Sequence, residues 1–331
     1  MEALVERFLG DLDIRNFSQF TLSGYRSNLE HLKTFLKERG IETPAMATAY
    51  VMAEFQRWVF SRPVYKHFVL QVGAQRSVAN QNRILIQAKA FFAFLQKEGY
   101  LLKNPMEEVE YAREPTTLPK NILTPEEAQK IIEVVDVSNP LGYRDRTILE
   151  VFYATGIRSR ELINLCVENI NLEEELLRVN SGKCAKDRVV PLSKIACRFL
   201  ETYIKGVRPE LGIRNVKLGM KNGKSEGGAE MRNDFNRLFL SNRGKPLDPF
   251  NLGKMVKKYA RLAGVAKRVT CHVWRHSCAT HLLKNRANLR HVQEILGHRS
   301  LATTERYLHL TITDLKAAHS MYHPREKECL S

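Results

Sequence analysis

Apolar residues recur every three to four positions through the first part of the chain, with polar residues between them. This spacing predicts a helical first domain, residues 1–102, with an aromatic-rich core. One strong helix is predicted to begin with Thr21 as its N-cap and to end before Gly40. Its apolar face consists of Leu22, Tyr25, Leu29, Leu32 and Leu36.

A second strong helix is predicted over residues 80–97, with Gly99 as its stop. Its buried face is predicted to be Ile84, Ala88, Phe91, Phe92 and Leu95. Weaker periodicity over residues 2–12 and 47–60 predicts two more helices. The sequence therefore indicates that the first domain is all-helical.

Residues 103–121 carry three prolines and no periodicity, which predicts a linker. A second domain, residues 122–331, then opens with a helix start. Thr124 is the expected N-cap, Pro125 occupies the first turn, and Glu127 completes a capping box.

Within the second domain, the spacing of apolar residues predicts both helices and strands. RDRTILEVFYATGIRSRELINL predicts two helices separated at Gly156, and LLRVNSGKCAKDRVVPL predicts a β-hairpin with a basic turn. Residues 208–236 are rich in Gly, Lys, Asn and Ser and predict a long surface loop. Helices resume at Pro249, and an amphipathic C-terminal helix is expected over residues 312–322.

The charge balance indicates a polyanionic partner, which the helical pattern alone does not. Lysine and arginine outnumber aspartate and glutamate by 52 to 36, a net charge of +16, which favours nucleic acid. A merely basic protein is the alternative. The chain has no apolar run of transmembrane length, and its first residues lack signal-peptide features. We therefore expect a cytoplasmic protein without a membrane partner, whose six scattered cysteines are reduced.

Arg158 follows the glycine break in ATGIRSREL, where a side chain projects from the start of a helix. A guanidinium group there stays charged and is able to grip a phosphate through two parallel hydrogen bonds. The alternative is an ion pair with Glu161, three residues further along the helix.

The segment CHVWRHSCATHLL places His272, Arg275 and His276 on one helix face, a set suited to proton transfer and anion binding. A metal site is the alternative, formed by Cys271, His272, His276, Cys278 and His281. Their spacing matches no standard zinc pattern, and Arg275 would repel a cation, so no metal is expected.

Two further polar residues carry little information singly. Lys183 lies at the predicted tip of the hairpin, where it is either a proton donor or a plain solvent-facing or backbone-binding lysine. Tyr307 follows a serine- and threonine-rich stretch, and a single tyrosine on an amphipathic helix is ordinarily a packed or surface aromatic.

The combination of these elements is far more specific than any one of them. TGIRSREL, GKCAKDRVVPL, HVWRH and LGHRSLATTERY occur in this order, and together they resemble the tyrosine recombinase (phage integrase-type) family. The resemblance is strongest to its short Xer-like and mobile-element members. SQFTLSGYRSNLEHLKTFL and NRILIQAKAFFAFL also resemble helices of that family's N-terminal core-binding domain. The departures are Cys184, where a glycine is usual, and Trp274, where a leucine is usual.

The resemblance implies a mainly α fold with a small β-hairpin or sheet. It implies a helical, SAM-like core-binding domain and a mixed α/β catalytic domain that close as a C-shaped clamp on duplex DNA. It also implies an activity, the site-specific cleavage and rejoining of DNA, for integration or excision of a mobile element or for resolution of DNA dimers. The mechanism that the resemblance implies would require neither a metal nor a cofactor.

The resemblance assigns a role to each matched residue. Tyr307 would be the nucleophile that forms a 3′-phosphotyrosyl link, and Lys183 the acid that protonates the leaving 5′-oxygen. Arg158 and Arg275 would stabilise the charged transition state. In the remaining assignments, His272 handles the tyrosine proton, and His298 either hydrogen-bonds the phosphate or positions the site. Glu161 orients a histidine or arginine.

The implied partners are duplex DNA with paired recombination sites and a homotetramer assembled on it, with or without a second recombinase or accessory protein. Such a protein would associate with the bacterial nucleoid. The helix 312–322 would pack into a neighbouring subunit, or else fold back on its own chain. The alternatives are a type IB topoisomerase-like enzyme, a catalytically idle DNA-binding regulator and a metal-dependent nuclease.

Overall fold

The structure is a computed structural model, and most of the chain is described in it. The described residues are 1–66, 69–114, 121–180, 187–213 and 236–297, with the backbone alone over the strand pair at 63–75. By its internal contacts the chain divides into a first unit, Met1–Thr116, and a second unit, Thr117–Ser331. The division falls inside the segment predicted to be a linker.

The first unit contains four long helices and one pair of strands. The helices are α1 (Glu2–Ile14), α2 (Gln19–Glu38), α3 (Ala49–Ser61) and α4 (Val78–Lys97). The four predicted helices are therefore confirmed. The N-cap of α2 was predicted wrongly, because Ser18, and not Thr21, caps it. The Ser18 side chain accepts a hydrogen bond from the backbone N–H of Thr21 at 3.2 Å.

The strand pair corrects the prediction that the first unit is helical throughout. Strands β1 (Pro63–Lys66) and β2 (Val69–Gln75) pair in antiparallel fashion between α3 and α4. The segment is rich in β-branched and aromatic residues, such as Val64, Tyr65 and Val69. These residues favour extended backbone, and a helical period is absent from the segment.

The core of the first unit is aromatic, as predicted. The Phe8 and Phe91 rings meet edge to face at 5.6 Å, and the Phe35 and Phe55 rings lie 5.3 Å apart. The five residues predicted to form the buried face of α4 are all buried. Beyond α4, residues 104–112 pack against this unit. Ala112 exchanges two hydrogen bonds with the Asn82 side chain, at 2.8 and 3.1 Å.

The second unit is a larger mixed domain. Among the described residues of this unit, the main helices are α5 (Pro125–Glu133), α6 (Pro140–Thr155), α7 (Ser159–Asn164), α8 (Lys194–Thr202), α9 (Pro249–Leu262), α10 (Cys271–Lys284) and α11 (Leu289–Leu296). The predicted capping box at α5 is confirmed. The Thr124 backbone N–H donates to Glu127 at 2.8 Å, and the Glu127 backbone N–H donates to the Thr124 hydroxyl at 3.2 Å.

A three-stranded antiparallel sheet accompanies these helices, in the order β3 (Ile170–Asn171), β4 (Leu176–Val179) and β5 (Arg188–Pro191). Strands β4 and β5 are the predicted hairpin, in a register that pairs Val179 with Arg188. The central helix α6 is buried around most of its circumference and packs against α8 and α10. The fold is therefore mainly helical with a small sheet, as predicted.

The start of the loop predicted over residues 208–236 was wrong, because residues 208–213 are helical. Residues 203–213 are helical and continue directly from α8, and Leu211 within them is fully buried. The remainder of that predicted loop up to residue 235 lies outside the described residues, as does the predicted helix 312–322. Within the described part of the chain, every helix is too short or too polar to cross a bilayer.

The chain enters the second unit along α10. The Ser277 hydroxyl accepts a hydrogen bond from the Leu123 backbone N–H, and the Leu123 carbonyl lies 2.9 Å from Nε2 of His281. The Tyr153 hydroxyl meets Nδ1 of the same ring at 2.9 Å. Burial lowers the pKa of His281, so the neutral ring donates from Nε2 and accepts at Nδ1.

The end of α6 is fixed by Gly156, whose φ of 58° lies in the left-handed region. A Cβ atom at this position would approach Cδ2 of Leu296 to 2.8 Å and Sγ of Cys278 to 3.2 Å. The glycine therefore lets the end of α6 lie against both α10 and α11, and it places the next residues, including Arg158, beside those helices.

We predict that Gly156→Ala destabilises the second unit much more than Gly264→Ala does. Gly264 also has a positive φ, 69°, but it has open space around the missing Cβ. Alanine should cost about 1–2 kcal/mol at either site from the left-handed backbone. At residue 156, overpacking should add roughly 1–3 kcal/mol. Urea unfolding followed by Trp274 fluorescence, in a Trp58→Phe background, measures both values. Equal losses of unfolding free energy in the two variants would show that the close contact at Gly156 does not affect stability.

Candidate active site

Arg158 is the N-cap residue of α7 and has extended backbone, with φ −74° and ψ 150°. Its side chain is 40% exposed. Nη1 donates to Glu161 Oε1 at 2.8 Å, and Nη2 donates to the Gly297 carbonyl at 3.1 Å. The ion pair that was the alternative explanation of Arg158 is therefore present, but it belongs to a larger arrangement.

Arg275 lies on α10 and is only 4% exposed. Its guanidinium group donates to two main-chain carbonyls, with Nη1 to Gly156 at 2.9 Å and Nη2 to Leu296 at 2.6 Å. A buried charge of this kind requires fixed polar partners, and these two carbonyls hold it in one orientation.

Arg188, which the sequence motifs contain but to which they assign no role, completes the arrangement. It is the first residue of β5, and its Nε donates to the Ile295 carbonyl at 2.8 Å. Its two terminal nitrogens donate to the two carboxylate oxygens of Glu161 at 3.0 and 2.8 Å. This is the bidentate geometry that arginine forms with a carboxylate.

The three arginines therefore contact three consecutive carbonyls at the C-terminus of α11. Ile295 accepts from Arg188, Leu296 from Arg275 and Gly297 from Arg158. The last carbonyls of a helix have no partner within the helix and carry the negative end of its dipole. We call Arg158, Arg188 and Arg275, gathered on this helix end, the arginine cluster.

Glu161 lies inside the arginine cluster, and its side chain is 10% exposed. Burial by itself would raise the pKa of this carboxyl. The hydrogen bonds from Arg188 and from the Arg158 backbone N–H, with the Arg188 charge, outweigh burial and lower the pKa to about 2. Glu161 is therefore a carboxylate at neutral pH, consistent with a residue that orients an arginine.

Within the described part of the chain, the arginine cluster thus contains three positive guanidinium groups and one negative carboxylate, that of Glu161. The α11 carbonyls offset part of the excess positive charge by their dipoles. Arg158 is the most exposed member and points its guanidinium toward the same helix end as buried Arg275. This arrangement is suited to an anion such as a phosphate.

His272 and His276 differ in their surroundings, although both were predicted to share a helix face with Arg275. His272 lies in the first turn of α10 and is exposed, whereas His276 is half-buried. Burial lowers the pKa of His276, and the nearby His272 and Arg275 add to the effect. His272 is therefore accessible on α10, one turn before Arg275.

The five residues considered as metal ligands are directed to different surroundings. His281 engages Tyr153 and the Leu123 carbonyl through its two ring nitrogens. Cys278 is buried beside Gly156, and burial raises the pKa of its thiol to about 12. Among the described residues, no group of His, Cys, Asp and Glu side chains is arranged to hold a metal ion.

The predicted residues Lys183, His298 and Tyr307 lie outside the described residues. Two of them, Lys183 and His298, lie close in the sequence to residues that form the arginine cluster or bond to it. Lys183 precedes Arg188 by five residues, and His298 follows Gly297 directly.

The sequence carries only a partial signal for Arg188, its alternation with Val190 in the predicted hairpin strand. In a strand, alternate residues share a face, so Arg188 lies on the same face as Val190. Val190 is fully buried, while Val189 between them is exposed. An arginine on the buried face of a strand requires a carboxylate or carbonyl partner elsewhere in the fold.

Comparison with known proteins identifies the family. Residues 121–313 match the family model described as the phage integrase family. Tyrosine recombinase XerC 2 of Ralstonia nicotianae is 33% identical over 324 residues, which cover 98% of this chain and 85% of that protein. Tyrosine recombinase XerD of Listeria monocytogenes is 34% identical over 327 residues, which cover 98% of this chain and 100% of that protein.

Solved structures show the same fold. XerH site-specific recombinase bound to palindromic difH substrate, in a post-cleavage complex, matches with a TM-score of 0.65 at 23% identity. The match covers 93% of this chain and 81% of that one. A lambda integrase (75–356) dimer bound to a COC′ core site matches with a TM-score of 0.65 at 18% identity, and covers 93% and 94%.

The family match includes every element of the arginine cluster, and the sequence likeness extends over nearly the whole chain. The chain belongs to the phage integrase family and is a tyrosine recombinase.

Proposed function

We propose that this recombinase cleaves and rejoins duplex DNA with Tyr307 as nucleophile and with the scissile phosphate bound by the arginine cluster. Site-specific recombination follows from its family, and the residue roles are the proposal. The observation that carries it is the fixing of Arg158 and Arg275 on adjacent carbonyls, Gly297 and Leu296.

The covalent step conserves the energy of the DNA backbone. The Tyr307 oxygen attacks the phosphorus, a 3′-phosphotyrosyl bond forms, and the bond to the 5′-oxygen breaks. The phenol proton goes to a base, and the leaving 5′-oxygen takes a proton from an acid. The reverse attack by a 5′-hydroxyl rejoins the strand, so no ATP is consumed.

Arg158 and Arg275 stabilise the pentacoordinate phosphate, which carries more negative charge than the ground state. Their guanidinium groups are oriented before DNA arrives, so little reorganisation accompanies the reaction. Positive side chains thereby do the work that divalent metals perform in two-metal nucleases.

The proton transfers are assigned to residues near the cluster in the chain. We assign Lys183 as the acid for the 5′-oxygen and His272, which is exposed on α10, as the group that handles the Tyr307 proton. His298 hydrogen-bonds the phosphate. Glu161 orients Arg158 without touching the DNA, as its two hydrogen bonds to that residue support.

The partner is DNA, and recombination joins two duplexes by four strand cuts. We therefore propose that the protein acts on paired recombination sites as a homotetramer, in the cytoplasm at the nucleoid, with helix 312–322 packing into a neighbouring subunit. Phosphate contacts should supply much of the affinity and make it depend strongly on salt.

We predict that Tyr307→Phe abolishes covalent protein–DNA adducts and leaves DNA affinity nearly unchanged, because one hydroxyl supplies the nucleophile and little binding energy. Both proteins are expressed in a bacterial host that carries the gene with its flanking DNA. Cells are lysed in SDS with EDTA, and DNA attached to protein is sequenced. Adducts at a discrete site with wild type alone support the proposal. Adducts spread without preference would favour a topoisomerase-like enzyme, and loss of binding in the variant would make Tyr307 structural.

We predict that Lys183→Ala slows cleavage of ordinary DNA by about 10²–10⁴-fold, the usual range for loss of a general acid. The same variant should cleave nearly normally when sulfur replaces the 5′-bridging oxygen, because a thiolate leaves without protonation. Rates on the two substrates are compared under single-turnover conditions. An equal loss on both substrates would remove Lys183 from the role of acid.

We predict that Glu161→Gln lowers both the cleavage rate and the free energy of unfolding at neutral pH, since the amide breaks the bidentate pair. The folded pKa of about 2 lies below the ordinary 4.5, so the carboxylate stabilises the fold above about pH 4.5. This contribution disappears as pH falls toward 2. The stability difference from wild type should therefore be constant at higher pH and shrink below 4.5.

Glu294→Gln is the control for this measurement. Glu294 forms a 4.0 Å pair with Arg290, in which both side chains are 70% exposed. Such a surface pair contributes little, so this variant should match wild type throughout. A pH-independent difference for Glu161→Gln would mean that its charge is not what stabilises the site.

A further inference from the structure

We propose that Arg188 is a positioning residue for strand cleavage, which holds Glu161 and, through Glu161, the phosphate-binding Arg158. It also ties β5 to the C-terminus of α11. The inference rests on the proposed function, because it concerns the cleavage step assigned there to Tyr307.

The burial of Arg188 is the first support. The side chains of Arg188 and Glu161 are both 10% exposed, and they meet in a bidentate pair. Removing such a pair from water is costly, and it is sustained only by fixed geometry and further hydrogen bonds. Arg188 has such a bond from Nε to the Ile295 carbonyl. Its orientation is therefore determined at three donor atoms.

The path to Arg158 is the second support. Glu161 Oε1 accepts from both Arg188 and Arg158, so the carboxylate lies between the two guanidinium groups. Glu161 Oε2 also accepts from the Arg158 backbone N–H at 2.8 Å. If Arg188 is removed, the carboxylate loses two of the donors that fix it, and the partner to which Arg158 donates is held less firmly in place.

The position of Arg188 in the chain is the third support. It lies five residues after Lys183, and it bonds to Ile295, three residues before His298. One side chain thus joins the strand that follows the proposed acid to the helix end that precedes the proposed phosphate ligand. Residues that align several reacting groups in this way affect rate more than affinity.

Gly297 provides independent evidence that the fold makes room for this side chain. A Cβ atom on Gly297 would lie 2.9 Å from Nη1 and 3.0 Å from Cζ of Arg188. The φ of 64° also favours glycine here. The end of α11 therefore accommodates a guanidinium group packed directly against its backbone.

Arg188 differs from Arg158 in access to a ligand. Arg158 is 40% exposed and is able to meet a phosphate, whereas Arg188 is turned inward. Lysine would be a poor substitute for Arg188, because one ammonium group does not reproduce the planar fork that spans a carboxylate and a carbonyl.

The test compares Arg188→Ala and Arg188→Lys with Arg146→Ala. Arg146 is a matched control in the same unit, since its Nε donates to Glu150 at 3.0 Å and its Nη1 to the Ile132 carbonyl at 2.9 Å. Its described bonds go to neither Glu161 nor α11. The probe is the DNA fragment that wild type captures covalently, and the readouts are single-turnover cleavage at saturating protein, DNA affinity and thermal stability.

We expect Arg188→Ala to cleave about 100-fold more slowly, with DNA affinity within about threefold of wild type. Arg188→Lys should recover only part of the rate. Added guanidinium ion, at concentrations that leave wild type folded, should accelerate Arg188→Ala and not Arg146→Ala. The double variant Arg188→Ala with Glu161→Gln should lose little more than Arg188→Ala alone, because the two residues act along one path.

Each other outcome has a definite meaning. If Arg188→Ala is destabilised as Arg146→Ala is but cleaves at the wild-type rate, Arg188 is structural and the inference falls while the proposed function stands. If Arg188→Ala does not fold, Arg188→Lys decides, and a wild-type rate in that variant overturns the inference. Failure of wild type itself to form the Tyr307 adduct overturns the proposed function, and the inference with it.

Discussion

Three arginines share the C-terminal turn of one short helix, and the second unit is arranged around that contact. The carbonyls of residues 295–297 lack partners within α11, and the buried guanidinium groups of Arg188 and Arg275 need partners, while half-exposed Arg158 bonds to the same helix end. The guanidinium groups donate hydrogen bonds to these carbonyls, so that donors and acceptors both gain partners. Because the arginines come from α7, β5 and α10, this mutual satisfaction also joins three separate elements to α11.

In the function proposed here, the arrangement would orient the phosphate-binding groups before the DNA arrives. The cations are held by main-chain carbonyls, which are neutral and cannot cancel the charge of a guanidinium group. Glu161, whose pKa is lowered to about 2, supplies orientation at the cost of one opposing charge. A cluster held mainly by carboxylates would be as rigid, but it would bind a polyanion less strongly.

Much of this site could be predicted from the sequence, because its signals are local. Arg158 and Glu161 stand three residues apart beside a glycine stop, and Arg275 lies on a helix with a readable N-terminus. Arg188 could not be placed in this way, since its partners lie 27 and 107 residues away in the chain. The apolar period also located the helices well. It missed the strand pair before α4, where a helical period is absent, and it also missed α8 and the helical residues 203–213 that continue from it.

The anchoring of Leu123 on α10 links two parts of the second unit in local unfolding. The peptide groups on both sides of this residue are bonded to Ser277 and His281, two and six residues after Arg275 on the same helix. Residue 123 leaves α10 only when both of these bonds break. The first residues of the second unit and the helix that carries Arg275 should therefore open together, as one cooperative segment.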